Sequence, residues 1–408
     1  MDSLTQIVLG AAVGEAVLGR KLGNRAMLWG GIAGTIPDLD VAANFATDTI
    51  SALVYHRAFT HSLAFAVLGT PILAFATHRL YGGGPSDKRR RNWQLAALTF
   101  AFFLLLLIGS YAMPLEVFAL PQVCLLITAI VVAIYAFVAA REGWRKQPSK
   151  AEQVSPQAWM LLFFAAIITH PLLDCCTLYG TQLLEPFTNF RVAWSTIAVA
   201  DPFYTLPFLA FLWLAARRAR ASSARRSLNN AGLWISSTYL LLTFAHFIWV
   251  GKILDHSLEA QQVPHERCIH GPVILSNFLW NATAQGPADD YYFSDYSIFD
   301  QERVFQPFSP IAGNHHLIAD LEAEREIRLI RYFTKDYLGV LPLSDGRLQL
   351  NDLRYGYFGD DPQDTSAYLF HWVIDPSERP LQVLQETGPP EGGASDVFRA
   401  LWERVKGI

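Results

Sequence analysis

Residues 159–176 read WMLLFFAAIITHPLLDCC. An unbroken apolar run reaches Ile168, and His170 and Asp174 follow at its end. Crossing a hydrocarbon layer takes about 20 apolar residues as a helix, so this stretch predicts a membrane-spanning helix. Imidazole and carboxylate are costly at such depth and mark a site more often than a core. Four residues apart on a helix, His170 and Asp174 share one face at about 6 Å. They can chelate one ion, or Asp174 can orient His170 through its second ring nitrogen. Pro171 removes a helix hydrogen bond and predicts a kink or restart, which is tolerated where a helix lines a cavity. The plainer alternative is a satisfied ion pair within the membrane.

The rest of the chain supports the membrane reading. Of 408 residues, 52% are hydrophobic and 17% charged, too apolar for an average soluble protein. The long apolar runs stop near Leu254, and the remainder of the chain has the composition of ordinary soluble sequence. This predicts an α-helical polytopic membrane domain over residues 1–255, of about eight helices with some short or broken, then a smaller soluble α+β domain over 256–408. A net charge of −4 argues against a nucleic-acid partner, which would need a basic face. The four cysteines form no disulfide framework or CxxC knuckle. The N-terminus lacks a basic n-region and an A-x-A site, so it reads as mature sequence.

Apolar segments run over 4–18, 26–44, 62–81, 93–113, 117–140, 159–176, 202–216 and 233–254. Basic clusters come after the odd-numbered ones: Arg20, Lys21 and Arg25; Lys88 to Arg91; Arg141, Arg145 and Lys146; Arg217 to Arg226. The positive-inside rule then predicts an outside N-terminus, eight crossings, and an outside C-terminal domain. The same orientation brings Asp2, Asp38, Asp40, His61, His170, Asp174 and Asp201 to the outer face. In the soluble part, 347–358 and 368–374 alternate like strands, while 317–337 and 395–405 have helical spacing.

Asp38 and Asp40 come just after Pro37, which favours an extended residue before it and hence a helix break. In an extended stretch Leu39 would point away and both carboxylates would face one cavity. His56 and His61 are five apart, roughly 140° off a common helical face. They converge if His56 lies in a loop and His61 in the first turn of the next helix, with Thr60 as its N-cap. Arg57 suits an anionic substrate oxygen. Interfacial polar residues and lipid-headgroup contacts are the bland alternatives. Asp2 and Gln6, four apart, and Asp201 are candidates for an outer layer. There is no H-E-x-x-H, no G-x-S-x-G and no P-loop, so metal-activated water is the economical chemistry.

The run Pro-Asp-Leu-Asp ending at Asp40, His-Arg-Ala-Phe-Thr-His-Ser from His56 to Ser62, and His-Pro-Leu-Leu-Asp from His170 to Asp174 resemble the bacterial membrane-bound metal-dependent hydrolases of the YdjM/YbcI type. Thr177 to Gly180, Pro186, the opening Met1 to Gln6 and the stretch Ala200 to Pro207 extend the resemblance over about 215 residues. It implies an inner-membrane location, a metal and hydrolysis, without naming a bond. Many shorter members carry histidine where Gln6 stands, and an amide is a poorer ligand.

The expected ligands are therefore Asp38, His56, His61, His170 and Asp174, with Asp40 as ligand or general base and Arg57 steadying negative charge. The cofactor is a divalent metal, zinc favoured, as one or two ions. The expected partner is a membrane lipid or lipid-linked substrate, a phosphoester first and a lipid ester or amide next. A metal-binding transporter or channel is the competing class.

Overall fold

The computed structural model describes residues 1–81, 88–114, 116–143, 154–287, 289–359, 361–386 and 394–407. Arg145 and Lys146 of the basic clusters lie outside the described residues. The chain divides into two units: Met1–Trp194 with Pro202–Leu241, and Ser195–Asp201 with Leu242–Ile408.

The first unit is helical. α1 (Ser3–Leu22) turns at Gly23, whose φ is +60°, into α2 (Asn24–Thr35). The two pack backbone to backbone through small residues at four-residue spacing, Gly10 and Gly14 against Ala26, Gly30 and Gly34. A Cβ on Gly14 would lie 2.2 Å from the Ala26 carbonyl oxygen, and one on Gly30 2.2 Å from that of Gly10. The chain continues through a 3₁₀ segment Pro37–Phe45, α3 (Thr49–Tyr55) and a 3₁₀ turn Phe59–His61. Then come α4 (Leu63–Tyr81), α5 (Lys88–Tyr111), α6 (Leu120–Gly143), α7 (Pro156–Asp174), α8 (Pro202–Ala216) and α9 (Ser223–Ala260).

α4, α5, α6, α7 and α9 are long and apolar enough to cross a membrane; α8 is shorter. α1 carries Glu15, Arg20 and Lys21 in its second half. Glu15 is buried there and paired to Arg225 through two 2.6 Å bonds. Trp29 of α2 anchors the core. Its indole donates to the Tyr81 hydroxyl at 2.9 Å, and Tyr135, Trp159 and Phe163 pack around its ring.

Two local expectations are corrected. The break expected at Pro37 is present, since α2 stops at Thr35 and a 3₁₀ segment begins at Pro37. The residue before the proline, Ile36, is helical (φ −54°, ψ −41°) and not extended. With about three residues per turn, Asp38 and Asp40 project about 120° apart, not onto one face. The cap of α4 is Ser62, whose Oγ accepts from Phe65 N at 3.0 Å, and not Thr60. α3 was not legible as a separate helix.

The second unit holds two four-stranded antiparallel sheets, each connected in chain order. The first comprises β1 (Arg267–Pro272), β2 (Leu279–Gln285), β3 (Asp290–Ser297) and β4 (Ser309–Ala312). The second comprises β5 (Leu338–Pro342), β6 (Leu348–Asp352), β7 (His371–Ile374) and β8 (Val383–Glu386). The helix expected over 317–337 appears as a 3₁₀ segment His315–Leu321 and then α10 (Arg325–Thr334). α11 (Ala394–Val405) closes the chain. The division expected at 255/256 falls within α9, which is continuous from Ser223 to Ala260.

Candidate metal centre

Four segments of the first unit end at one place. The 3₁₀ segment after α2 brings Asp38, the turn before α4 brings His61, the last turn of α7 brings His170 and Asp174, and the start of α1 brings Gln6. One ligand atom from each of Asp38, His61, His170 and Asp174 lies within 4.8 Å of all the others. The two Nε2 atoms are 3.0 Å apart. His170 Nε2 is 3.2 Å from Asp38 Oδ1 and 3.3 Å from Asp174 Oδ2. His61 Nε2 is 3.4 Å and 3.3 Å from the same two oxygens. A tetrahedral zinc with bonds of about 2.0–2.1 Å has ligand edges of about 3.3–3.4 Å. The spacing fits.

Three of the four ligands are held from behind. His170 Nδ1 donates to the Gly34 carbonyl at 2.5 Å, which fixes the proton there and leaves Nε2 with its lone pair. The close α1–α2 packing places that carbonyl. His61 Nδ1 faces Asp40 Oδ2 at 3.2 Å. Asp174 Oδ1 accepts from Gln6 Nε2 at 3.0 Å and from the Met1 amino group. Its other oxygen, Oδ2, is buried without a hydrogen-bond partner among the described residues, and the two Nε2 atoms face it at 3.3 Å. A buried carboxylate oxygen without a donor is expensive unless a cation faces it. Asp38 is 12% exposed while the other three are at most 1%, so solvent approaches from its side. Burial disfavours the His61 imidazolium, but Asp40, Asp174 and Asp38 outweigh it and raise its pKa well above the usual histidine value.

Of the six expected ligands, four converge, while Asp40 and His56 stand one layer out. Asp40 is fully buried and accepts from His56 Nδ1 at 2.8 Å, Arg57 N at 2.8 Å and Thr60 Oγ1 at 3.2 Å. His56 lies at the edge, with its side chain 25% exposed. Arg57 adopts φ +62°, which lets its backbone meet Asp40 while its guanidinium turns to the quartet. Nη1 donates to Thr177 Oγ1 at 2.9 Å and Nη2 is 3.5 Å from Asp174 Oδ1. Gln6 is a support for Asp174 rather than a member of the four. Asp2 caps α1, accepting from Thr5 N at 3.0 Å. Asp201 is buried and belongs to the second unit.

The stretch after α7 contributes residues that spacing did not single out. Tyr179 lies under both Arg57 and Arg191, at 4.8 and 5.3 Å. Arg191 Nη2 donates to the His56 carbonyl at 2.9 Å, and Gln182 Nε2 to that of Val54 at 2.8 Å. Together they brace the loop carrying His56 and Arg57. Glu185 is buried with neither carboxyl oxygen hydrogen-bonded among the described residues. Burial, only partly opposed by Arg191, pushes its pKa up to about 7. The available signal was a cluster of polar residues directly after an apolar helix.

A family model described as YdjM inner membrane protein matches residues 1–115 and 120–250. No curated protein and no solved structure matches the chain.

Proposed function

The chain belongs to the YdjM inner membrane protein family, and on that premise we propose that it is a membrane-bound, metal-dependent hydrolase of an amphipathic or lipid-linked substrate. The observation that carries this reading is the quartet of Asp38, His61, His170 and Asp174, spaced for one small cation, with Asp174 Oδ2 buried and not hydrogen-bonded among the described residues. Two imidazoles and two carboxylates favour zinc, with manganese or iron as weaker choices. When bound, such an ion supplies Lewis acidity and acidifies water.

The chain's own residues supply the rest. His56 is suited to carry protons between an attacking water and a departing oxygen. Its Nδ1 is held by Asp40, which turns Nε2 away from that carboxylate at the partly exposed edge. Asp40, already engaged by the donors around it, acts by holding His56 and His61 in place. Arg57 pairs with an anionic oxygen of the substrate, which favours a phosphoester over a lipid ester or amide. Arg20 and Lys21 close α1 about 21 Å from Gln6 at 1.5 Å per residue. That separation of basic residues from the quartet supports a site on the non-cytoplasmic side.

The test is direct. Purified protein is incubated with a lipid extract, and products are scanned by mass spectrometry beside His61→Ala and His170→Ala. New products from the wild type alone support the reading. Metal-dependent transport without product chemistry would favour the transporter instead.

A further inference from the structure

An apolar groove of about 580 Å³ runs along α2 between α1 and α6. Ile7, Gly31, Thr35, Leu39, Ile134 and Phe137 line it, and Arg141 lies at its far end. Three wall residues are the immediate chain neighbours of residues in the metal centre. Ile7 adjoins Gln6, Thr35 adjoins Gly34, and Leu39 adjoins Asp38. The groove wall and the metal centre thus share three chain segments. Ile130 and Arg141 bracket it along α6. Eleven residues at about 1.5 Å each span roughly 17 Å. One leaflet of a hydrocarbon core about 30 Å thick is roughly 15 Å deep, so the groove matches one leaflet's chain. A second apolar crevice of about 230 Å³, lined by Leu73, Phe102 and Tyr135, has no wall residue next to the quartet in sequence.

We propose that this groove holds an acyl chain of a membrane phospholipid whose headgroup lies at the quartet. The proposal rests on the lipid-hydrolase reading and names its substrate class. In a membrane-spanning unit the groove opens onto hydrocarbon. Lipid tails are as apolar as these walls, so the groove gains little from burial. Its contribution is orientation: a chain lying along α2 aims the headgroup ester at Asp38, the most exposed of the four ligands.

The full chain is reconstituted in phosphatidylcholine vesicles doped with phosphatidylglycerol carrying a diazirine either near the ester or at mid-chain. After irradiation, adducts are mapped by mass spectrometry and bound metal is measured on the same samples. The near-ester probe is expected to label residues around Leu39, and the mid-chain probe Ile32, Ile134 and Phe137. Gly31 has room for a Cβ, with Ile7 at 3.5 Å, and a larger side chain there fills the groove. Gly31→Phe, or Ile134→Trp from the opposite wall, should abolish the groove adducts while bound metal is unchanged. Adducts spread evenly over α5 and α9, or undiminished in both variants, would overturn the proposal. So would near-ester labelling beside Arg141, which would mean a lipid standing the other way up, or a second copy of the chain crosslinked in the groove. Groove adducts in a protein that binds no metal would instead contradict the hydrolase reading and leave the chain in its groove.

Discussion

Gly14→Ala tests whether the helix hairpin builds the metal centre. The added methyl would sit 2.2 Å from the Ala26 carbonyl oxygen and 2.9 Å from Gly30 Cα, where ordinary contact starts at 3.4 Å. Helix backbone cannot swing aside as a side chain can, so α1 and α2 must part by about 1 Å. α1 carries Gln6, which holds Asp174, and α2 carries the Gly34 carbonyl, which holds His170. Metal sites tolerate only about 0.2 Å in ligand position. Overpacking of this kind costs about 1–3 kcal/mol, and losing the groups behind the ligands weakens metal binding by about 10- to 100-fold. Thermal unfolding in detergent reads the first quantity, and competition with a chromogenic chelator reads the second. Gly31→Ala is the matched control, because its Cβ meets Ile7 at 3.5 Å and Ala11 at 3.7 Å, which are ordinary contacts. Wild-type stability and metal affinity in Gly14→Ala would refute the reasoning.

The same geometry carries three further outcomes. Asp40→Asn should weaken metal binding about 10- to 100-fold by releasing His61 Nδ1, whereas an unchanged chelator titration would remove Asp40 from that role. Glu15→Gln breaks a buried pair with Arg225 and should cost about 3–5 kcal/mol in thermal stability, with metal stoichiometry untouched because Glu15 lies in the second half of α1, away from Gln6; loss of metal would show the two regions coupled. Glu185 has a folded pKa near 7 against an ordinary 4.5, so the folded state binds the extra proton and stability falls as pH rises through that window. Glu185→Gln should flatten the melting-temperature profile between those values and stabilise the protein at pH 8; a wild-type profile without that decline would contradict the buried-acid account.

The spanning helices were legible because length and apolar composition alone decide them; α4, α7 and α8 begin and end within three residues of the expected bounds. The four converging residues were legible for a related reason: His61, His170, Asp38 and Asp174 all sit at the ends of apolar runs. What failed was local backbone geometry. Pro37 signalled a break, but not that the break would be a 3₁₀ segment sending Asp38 and Asp40 to different sides. Roles within the site were hidden too, since only tertiary contacts separate Asp38 beside the histidines from Asp40 behind one. β3, with the sequence DYYFSDYS, lacks clean alternation because both of its faces are partly buried, and its sheet went unread. Gly10, Gly14, Gly30 and Gly34 carried a packing signal that only the pairing of α1 with α2 turned into structure.

X-ray absorption at the zinc edge, with metal stoichiometry on the same samples, tests the central claim most directly. The account predicts one ion per chain with five nitrogen or oxygen neighbours at about 2.0–2.2 Å, two of them imidazoles and one a water. The ion should be lost in His170→Ala and Asp174→Ala and kept in His56→Ala. Intact wild-type protein that binds no metal when equilibrated with zinc, or a His170→Ala variant with an undiminished signal, would contradict it.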